Sequence, residues 1–236
     1  MPADPWSNVS AQPERARSSA QSQSTTAQAF MAKVYRWMAG GLALSGLVAF
    51  LVASSPGAMN AVFNSPLFYV ILAAELGVAW GFSRIVRTAS FNTAAAMFLS
   101  YCALSGVTFA VFLVSFESAS IANVFFITGG TFAAMSVYAT VTKSDLTRWH
   151  QFLMMGLIGV LIAGVVNLFF RNSALDFVLS CASVIVFTGL TAYDTQKIRA
   201  YADSGDDRLA LHGALNLYLD FVNLFIALLR LFGKRR

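Results

Sequence analysis

The most informative segment of the chain is "LNLYLDFVNLFIALLRLFG", residues 215–233. It is long and apolar enough to cross a membrane as a helix, because a span takes about 20 predominantly apolar residues. Its middle nevertheless holds Asp220, and a carboxylate at the centre of a membrane helix costs about 2.5–3.5 kcal/mol on insertion scales. The rest of the chain has to show whether the stretch lies in a membrane and why the aspartate is kept.

The composition is that of a membrane protein. Hydrophobic residues make up 57% of the chain and charged residues only 11%, with a mean hydropathy of +0.65. Soluble globular proteins carry about 25% charged residues, so this chain needs lipid around it. The net charge of +5 comes from basic residues scattered at the ends of apolar runs. That distribution argues against a nucleic-acid partner, which would require a basic stripe with interleaved aromatic residues.

Seven segments are predicted to span the membrane, joined by short loops. This predicts an all-α integral membrane protein, a seven-transmembrane-helix bundle within residues 30–236. Residues 1–29 are rich in Ser, Gln and Ala, and we expect them to form a disordered polar tail. The predicted spans cover about residues 34–55, 64–84, 93–115, 119–141, 152–171, 174–196 and 209–231.

The basic residues indicate the orientation. Those that flank the predicted spans fall mostly on one side: Arg15, Arg17, Lys33, Arg36, Arg84, Arg87, Lys143, Arg148, Lys197, Arg199 and Arg208. The positive-inside rule therefore predicts a cytoplasmic N-terminus. Seven full spans would place "GKRR", residues 233–236, on the opposite side, against the rule. Either the last segment re-enters the membrane or the earlier helices fix the topology, and we favour seven full spans.

Three acidic residues fall inside the predicted spans, namely Glu75, Asp194 and Asp220. No Lys or Arg lies deep in any span. Buried carboxyls of this kind are protonated, pair with an arginine that reaches in from the interface, or meet a passing cation. Asn216 and Asn223 fall on the same helical face as Asp220, which predicts a polar stripe facing the bundle interior or a water-filled path.

Asp194 and Asp220 are expected to approach each other. Asp194 lies in "GLTAYDTQKIR", residues 189–199, near the cytoplasmic end of the sixth span. Asp220 lies about 16 Å into the seventh span at 1.5 Å per residue, and the short connection makes the two helices antiparallel neighbours. Arg84, which ends the second span on that side, could reach the pair. Two facing carboxyls cannot both ionise cheaply in a low dielectric, so they titrate jointly and could form a pH-responsive gate.

The remaining reactive side chains predict no catalysis. Cys102 and Cys181 lie in apolar runs and are interpreted as packing residues. His150 and His212 flank span ends without a metal-ligand spacing, as interfacial residues do. No nucleotide-binding, hydrolase or metalloprotease motif is present in the sequence, so we predict neither an enzyme nor a resident cofactor.

Three motifs carry a resemblance to a known family. "FMAKVYRWMAGGLALSG" at residues 30–46, "TAYDTQKIR" at 191–199 and the stretch at 215–233 resemble the Bax inhibitor-1 family, the transmembrane Bax inhibitor motif proteins. The likeness covers residues 30–233. It implies a seven-helix fold whose last helix is central and wrapped by the other six, and, for a bacterial-type member, a location in the inner membrane.

The resemblance also implies a function, a pH-sensitive calcium leak across the membrane. Asp194 and Asp220 match the aspartate pair that forms the sensor in this family. An arginine at the end of the second helix latches onto the sixth-helix aspartate; Arg84 and Arg87 are both candidates, and Arg84 is favoured because it lies closer to the span. Glu75 matches an acidic residue that lines the ion path.

The residues suit a transient calcium site. High-affinity calcium sites use six to eight oxygen ligands. Asp194 and Asp220, with Asn216, Asn223 and backbone carbonyls, would bind the ion only briefly, as permeation requires. The direction of gating stays open. Protonation would break an arginine latch and favour opening, but it would also remove the charge that attracts the cation.

A different function class is the alternative. The protein would then be a membrane interaction protein that modulates a protease or stress-response complex, as bacterial relatives of the family are thought to do. The polar tail and the outer bundle surfaces would dock the partner. Secondary transport is disfavoured because the sequence shows no clear internal repeat.

Overall fold

The computed structural model of the protein describes residues 7–170 and 172–236. Over these ranges the chain forms eight α-helices and two short 3-10 turns, at Leu146–Trp149 and Ala202–Ser204. The α-helices are α1 (Ser7–Ala53), α2 (Pro56–Phe63), α3 (Leu67–Ile85), α4 (Phe91–Ser115), α5 (Ser118–Val141), α6 (His150–Phe170), α7 (Ser173–Arg199) and α8 (Asp207–Phe232). All except α2 contribute one of seven segments long and apolar enough to cross a membrane. The prediction of an all-α seven-helix membrane bundle is confirmed.

The first helix differs from the sequence prediction. Residues 1–29 were expected to be disordered, yet α1 is helical from Ser7; residues 1–6 lie outside the described residues. Gln, Ala and Arg in this stretch are good helix formers, and Ala27 and Phe30 pack against the hydrophobic core. At 1.5 Å per residue α1 is about 70 Å long, whereas the hydrocarbon core of a bilayer is about 30 Å thick.

A second difference is the short helix α2, which lies where a loop was expected. The Ser55 side chain caps it by accepting a hydrogen bond from the backbone N–H of Ala58, and Pro56 occupies the first turn. Both residues are typical of helix starts, because the hydroxyl satisfies a free N–H and proline lacks one. A turn-like sequence therefore folds into two turns of helix between α1 and α3.

The helix α8 lies at the centre of the bundle. Helices α1 and α4 pack against one side of it, and α5 and α7 against the other. The outer helices α3 and α6 pack mainly on α4 and α7. In its apolar window α8 has 56% of its residues buried, against 6% for the windows of α3 and α6. The implied central position of the C-terminal helix is thus correct, with α3 and α6 at the periphery.

Two close helix contacts rest on glycine. A Cβ on Gly106 of α4 would lie 2.7 Å from the backbone oxygen of Ser45 on α1. A Cβ on Gly213 of α8 would lie 2.7 Å from Cγ2 of Ile198 on α7. Small residues let membrane helices approach this closely, and the second contact fixes how far α7 and α8 are shifted along each other.

The C-terminal residues lie at the end of the bundle that carries the α4–α5 connection. The backbone N–H of Glu117 donates to the carbonyl of Lys234 at 2.9 Å, and the backbone N–H of Arg236 donates to the carbonyl of Ser115 at 3.0 Å. Phe116 and Arg235 form an antiparallel β-bridge. The helix α8 is continuous from Asp207 to Phe232 and does not turn back, so the structure supports seven full spans rather than a re-entrant last segment.

Candidate functional site: the facing carboxyls of α7 and α8

Asp220 is a buried carboxyl on the central helix. Its side chain is 4% exposed, and its helical neighbours Leu217, Phe221 and Leu224 are buried as well. Its Oδ2 atom has no hydrogen-bond donor among the described residues. A buried polar atom without a partner is rare in folded proteins, so this oxygen calls for an explanation.

The Asp194 carboxyl on α7 supplies that explanation. It lies within hydrogen-bonding reach of the Asp220 carboxyl. The close contact of Ile198 with Gly213 sets the register that brings the two side chains together. Two carboxylates offer each other only acceptors, whereas a carboxyl that holds a proton can donate it to the other. The structure therefore places the two aspartates where they can share one proton, and it brings together the pair that the sequence singled out.

The basic neighbours of this pair were missed in the sequence. Lys197 and His150 are the basic side chains near Asp194. The His150 ring stacks on Tyr193 with ring centroids 4.9 Å apart, and the Lys197 Nζ lies 5.4 Å from the centre of the same ring. Lys197 follows Asp194 by three residues, a spacing that puts two side chains on one helical face. That spacing was the available signal.

The segment that carries Asp194 also holds the α5–α6 connection in place. The Gln196 side chain accepts a hydrogen bond from the backbone N–H of Leu146 at 2.8 Å and donates one to the carbonyl of Ser144 at 3.0 Å. Arg199 donates to the carbonyl of Thr140 at 3.0 Å. A shift of the end of α7 would therefore be passed directly to the turn that precedes His150.

Comparison with known proteins identifies the family. The model of the family described as "Inhibitor of apoptosis-promoting Bax1" matches residues 27–236. The chain belongs to the Bax inhibitor-1 family. The inner membrane protein YbhL of Escherichia coli K12 is 40% identical over 217 residues, which cover 89% of this chain and 93% of that protein.

The chain is also similar to proteins of other bacteria. An uncharacterised protein of Borreliella burgdorferi is 42% identical over 214 residues, covering 88% of this chain and 92% of its own length. One of Deinococcus radiodurans is 39% identical over 211 residues, covering 87% and 90%. The seven apolar helices and this membership make the chain a multi-pass integral membrane protein.

The arginine latch implied by the family resemblance is not formed in the structure. Arg84 is exposed, and its guanidinium lies 4.7 Å from the centre of the Trp80 ring on the same helix, a favourable cation–π contact. The helix α3 packs on α4 and so holds Arg84 apart from Asp194. Arg87 is also exposed. Neither arginine forms an ion pair with a carboxyl of the described residues.

Glu75 lies in a different contact. Its Oε1 accepts a hydrogen bond from the Thr108 hydroxyl at 3.0 Å, across the interface of α3 and α4. The carboxyl is half-buried. The structure thus gives Glu75 a partner on α4 and sets it apart from the Asp194–Asp220 pair.

The polar stripe on α8 is present in part. Asn216 and Asn223 are half-buried, whereas Asp220 between them is buried. The Asn223 amide donates to the carbonyl of Leu219 at 2.8 Å, within its own helix. This bond uses one of the two N–H donors of the amide, and the amide oxygen is an acceptor.

Proposed function

We propose that the protein is a cation leak, with calcium as the permeant ion, and that the Asp194–Asp220 pair controls it according to pH. The observation that carries the proposal is the buried Asp220 carboxyl, which faces Asp194 and has an oxygen without a donor. An ionisable side chain at this depth costs free energy and in membrane proteins usually marks a functional site.

The pair can work as a gate because its two protonation states differ in charge. With one proton shared, the carboxyls attract each other and hold α7 against α8. Without that proton, two negative charges face each other, repel, and attract a cation. Among the described residues no three His, Cys, Asp or Glu side chains come together as a metal site. Calcium at the pair would therefore find two carboxylates and a few neutral oxygens, which favours brief binding.

The contacts of α7 suggest how the change spreads. Lys197 lies beside Asp194 on α7, and Gln196 is bonded to the α5–α6 connection. A displacement of α7 that relieves repulsion between Asp194 and Asp220 would move both Lys197 and the α5–α6 connection. We further propose that these connections face the cytoplasm together with the N-terminus, on the strength of the basic residues that flank them.

The test is calcium flux into liposomes that contain the purified protein and a trapped calcium dye, measured from pH 5 to pH 8. In the wild type the flux should vary with pH, and in Asp220→Asn and Asp194→Asn this variation should disappear. Asp203→Asn is the matched control, because Asp203 is an exposed carboxyl in the α7–α8 connection. A wild-type pH profile in Asp220→Asn would contradict the proposal.

The two arginines at the end of α3 need their own variants. If Arg84 acts as a latch in another state of the protein, Arg84→Gln should change the pH profile while Arg87→Gln leaves it as in the wild type. If the exposed position of Arg84 is its working position, neither substitution should change the profile.

One observation favours the alternative, a membrane partner that modulates a protease or stress-response complex. The helix α1 extends from Ser7 and exposes polar residues at 21–23, ahead of Ala27, which packs against the core. Such an extension can dock another protein. Deletion of residues 1–20 leaves the core contacts in place. A protease that co-purifies with the full chain but not with the truncated chain, together with no flux above empty liposomes, would favour this alternative.

A further inference from the structure

An apolar cavity of about 160 Å³ lies within the helix bundle. It is bounded by α1, α4, α5 and α8, and the side chains that line it are apolar except for that of Ser45. Dry apolar cavities of about 150 Å³ in proteins take up benzene, so this one has room for a stretch of hydrocarbon. The lining residues are Leu42, Ser45, Gly46, Ala49, Phe109, Phe112, Leu113, Ile121, Phe125, Phe221, Val222, Phe225 and Ile226.

The cavity opens to the outer surface of the bundle. Gly46 on α1 is exposed, and Phe125 on α5 is 44% exposed. Both lie in apolar segments long enough to cross the membrane. The surface at this height is in contact with lipid tails, so an acyl chain can enter from the side.

One end of the cavity lies beside basic residues. Phe112, which lines the cavity, has its ring 6.3 Å from that of Phe116, and the Arg235 guanidinium lies 5.9 Å from the Phe116 ring. Ile121, another lining residue, is in the first turn of α5. In the same turn the Ser118 hydroxyl accepts a hydrogen bond from the Arg236 guanidinium at 3.0 Å.

The two arginines are available for an anion. Lys234 is paired with Glu117 at 3.0 Å, so its charge is compensated. Arg235 and Arg236 are exposed and form no ion pair within the part of the chain that the structure describes. Guanidinium groups present paired N–H donors that match the oxygens of a phosphate.

We propose that this cavity and the arginines beside it form a binding site for one anionic phospholipid. An acyl chain fills the space between α1 and α5, and the phosphate binds Arg235 and Arg236. Charge complementarity selects the anionic headgroup, since a zwitterionic lipid brings its own cation to the same place. The site also gives a reason for basic residues at the end of the bundle where the positive-inside rule predicts few.

Two variants separate the two halves of the site. Arg235→Gln with Arg236→Gln removes the phosphate contacts, and its control is Lys143→Gln with Arg148→Gln, two exposed cations in the α5–α6 connection. Gly46→Leu fills the cavity, since a Cβ on Gly46 meets no atom within 4 Å. Its control is Gly40→Leu on the same helix, which is equally unobstructed and lies outside the cavity. If Gly46→Leu fails to fold, Ile226→Phe fills the same cavity from α8.

The measurement is the thermal unfolding of the full chain in detergent with added dioleoyl phosphatidylglycerol or dioleoyl phosphatidylcholine. Bound lipid raises Tm in proportion to the logarithm of its concentration over Kd. In the wild type phosphatidylglycerol should raise Tm more than phosphatidylcholine does. The arginine double variant should need about tenfold more phosphatidylglycerol for the same shift, and Gly46→Leu should respond to neither lipid.

Three results would overturn the proposal. The first is an equal Tm shift with both lipids in the wild type, which would mean that the headgroup charge is not recognised. The second is an arginine double variant that behaves like its Lys143 and Arg148 control. The third is a Gly46→Leu protein that folds and responds to phosphatidylglycerol as Gly40→Leu does, which would place the acyl chain elsewhere.

Discussion

Two residues of α8, Tyr218 and Asp220, face opposite halves of the bundle and differ in whether their polar atoms are hydrogen-bonded. The buried Tyr218 hydroxyl lies 2.7 Å from the Ser45 hydroxyl of α1. Ser45 in turn lies 2.7 Å from the carbonyl of Cys102 on α4. On the other side the Asp220 Oδ2 has no donor among the described residues and faces a second carboxyl.

The difference indicates which half of the protein is fixed and which can change. A buried polar network whose members are all bonded rigidifies the helices that it joins, whereas a partly satisfied one is sensitive to a single proton or ion. The contact of α8 with α1 and α4 is of the first kind, reinforced by the close approach at Gly106. The contact of α8 with α7 contains a partly satisfied polar pair, Asp194 and Asp220. We infer that α1, α4 and α8 form a frame against which α7 moves.

The largest effect should come from breaking the frame. In Gly106→Ala the new Cβ would lie 2.7 Å from the Ser45 backbone oxygen, so the helices must separate. We expect the free energy of unfolding to fall by about 1–3 kcal/mol, measured by SDS titration in mixed micelles. Gly40→Ala is the control: its Cβ meets nothing, and higher helix propensity should leave that protein unchanged or more stable. Equal losses in both variants would show that the α1–α4 contact is not a tight one.

A moderate effect should separate the two faces of α8. Tyr218→Phe removes the bond to Ser45 and should lower the free energy of unfolding by about 0.5–1.5 kcal/mol, with the pH dependence of calcium flux retained. Asp220→Asn should have the opposite pair of effects on stability and on the pH dependence of flux. Its amide can donate to the Asp194 carboxyl, so stability should stay the same or rise, while the pH dependence is lost. If Tyr218→Phe abolished the pH dependence instead, the division into a fixed and a variable half would be wrong.

The smallest effect should come from the α7–α8 connection. The Arg208 guanidinium hydrogen-bonds Asp206 and, with the capping bond from the Arg208 backbone N–H, holds the pKa of that carboxyl below its usual range. A carboxyl whose pKa is lowered by folding stabilises the protein above its unfolded pKa, and this contribution is lost as the pH falls through the folded pKa.

Asp206→Asn tests this contribution, because asparagine keeps the helix cap and removes the ion pair. At pH 7 the variant should be less stable by at most about 1 kcal/mol, as expected of a partly exposed pair. The gap between the two proteins should begin to narrow below about pH 4, the unfolded pKa, and continue to narrow as the pH falls through the lower folded pKa. Unfolding titrations from pH 3 to pH 7 would measure it, and a gap that stays constant over this range would rule out the ion pair as its cause.

The parts of the fold that follow from local chemistry were predictable. Apolar runs of about 20 residues locate α4 and α5 to within a few residues of their observed bounds, since lipid dictates that length. The short connection between α7 and α8 makes them antiparallel neighbours, which predicts that Asp194 and Asp220 approach each other, whereas the exact register depends on the contact of Ile198 with Gly213. The family resemblance added the central position of α8.

Other parts depend on contacts between residues far apart in sequence. Phe30 and Ala27 of α1 pack in and against the core, a long-range contact that the polar composition of residues 1–29 does not reveal. The Arg84 guanidinium contacts the Trp80 ring of its own helix rather than a distant carboxylate. The sequence does not show which of these two contacts forms. The bridge between Phe116 and Arg235 joins residues more than a hundred positions apart, and periodicity carries no signal for such a pairing.

The length of α1 has a mechanical consequence. Ala27 packs against the core, and Ser7 lies about 30 Å further along the same helix. A tilt of only about 10° at the bundle would therefore swing Ser7 through about 5 Å, by the geometry of a rigid rod of that length. The N-terminal part of α1 is a lever arm, and a spectroscopic label near its tip would report small rearrangements among the membrane helices as large displacements.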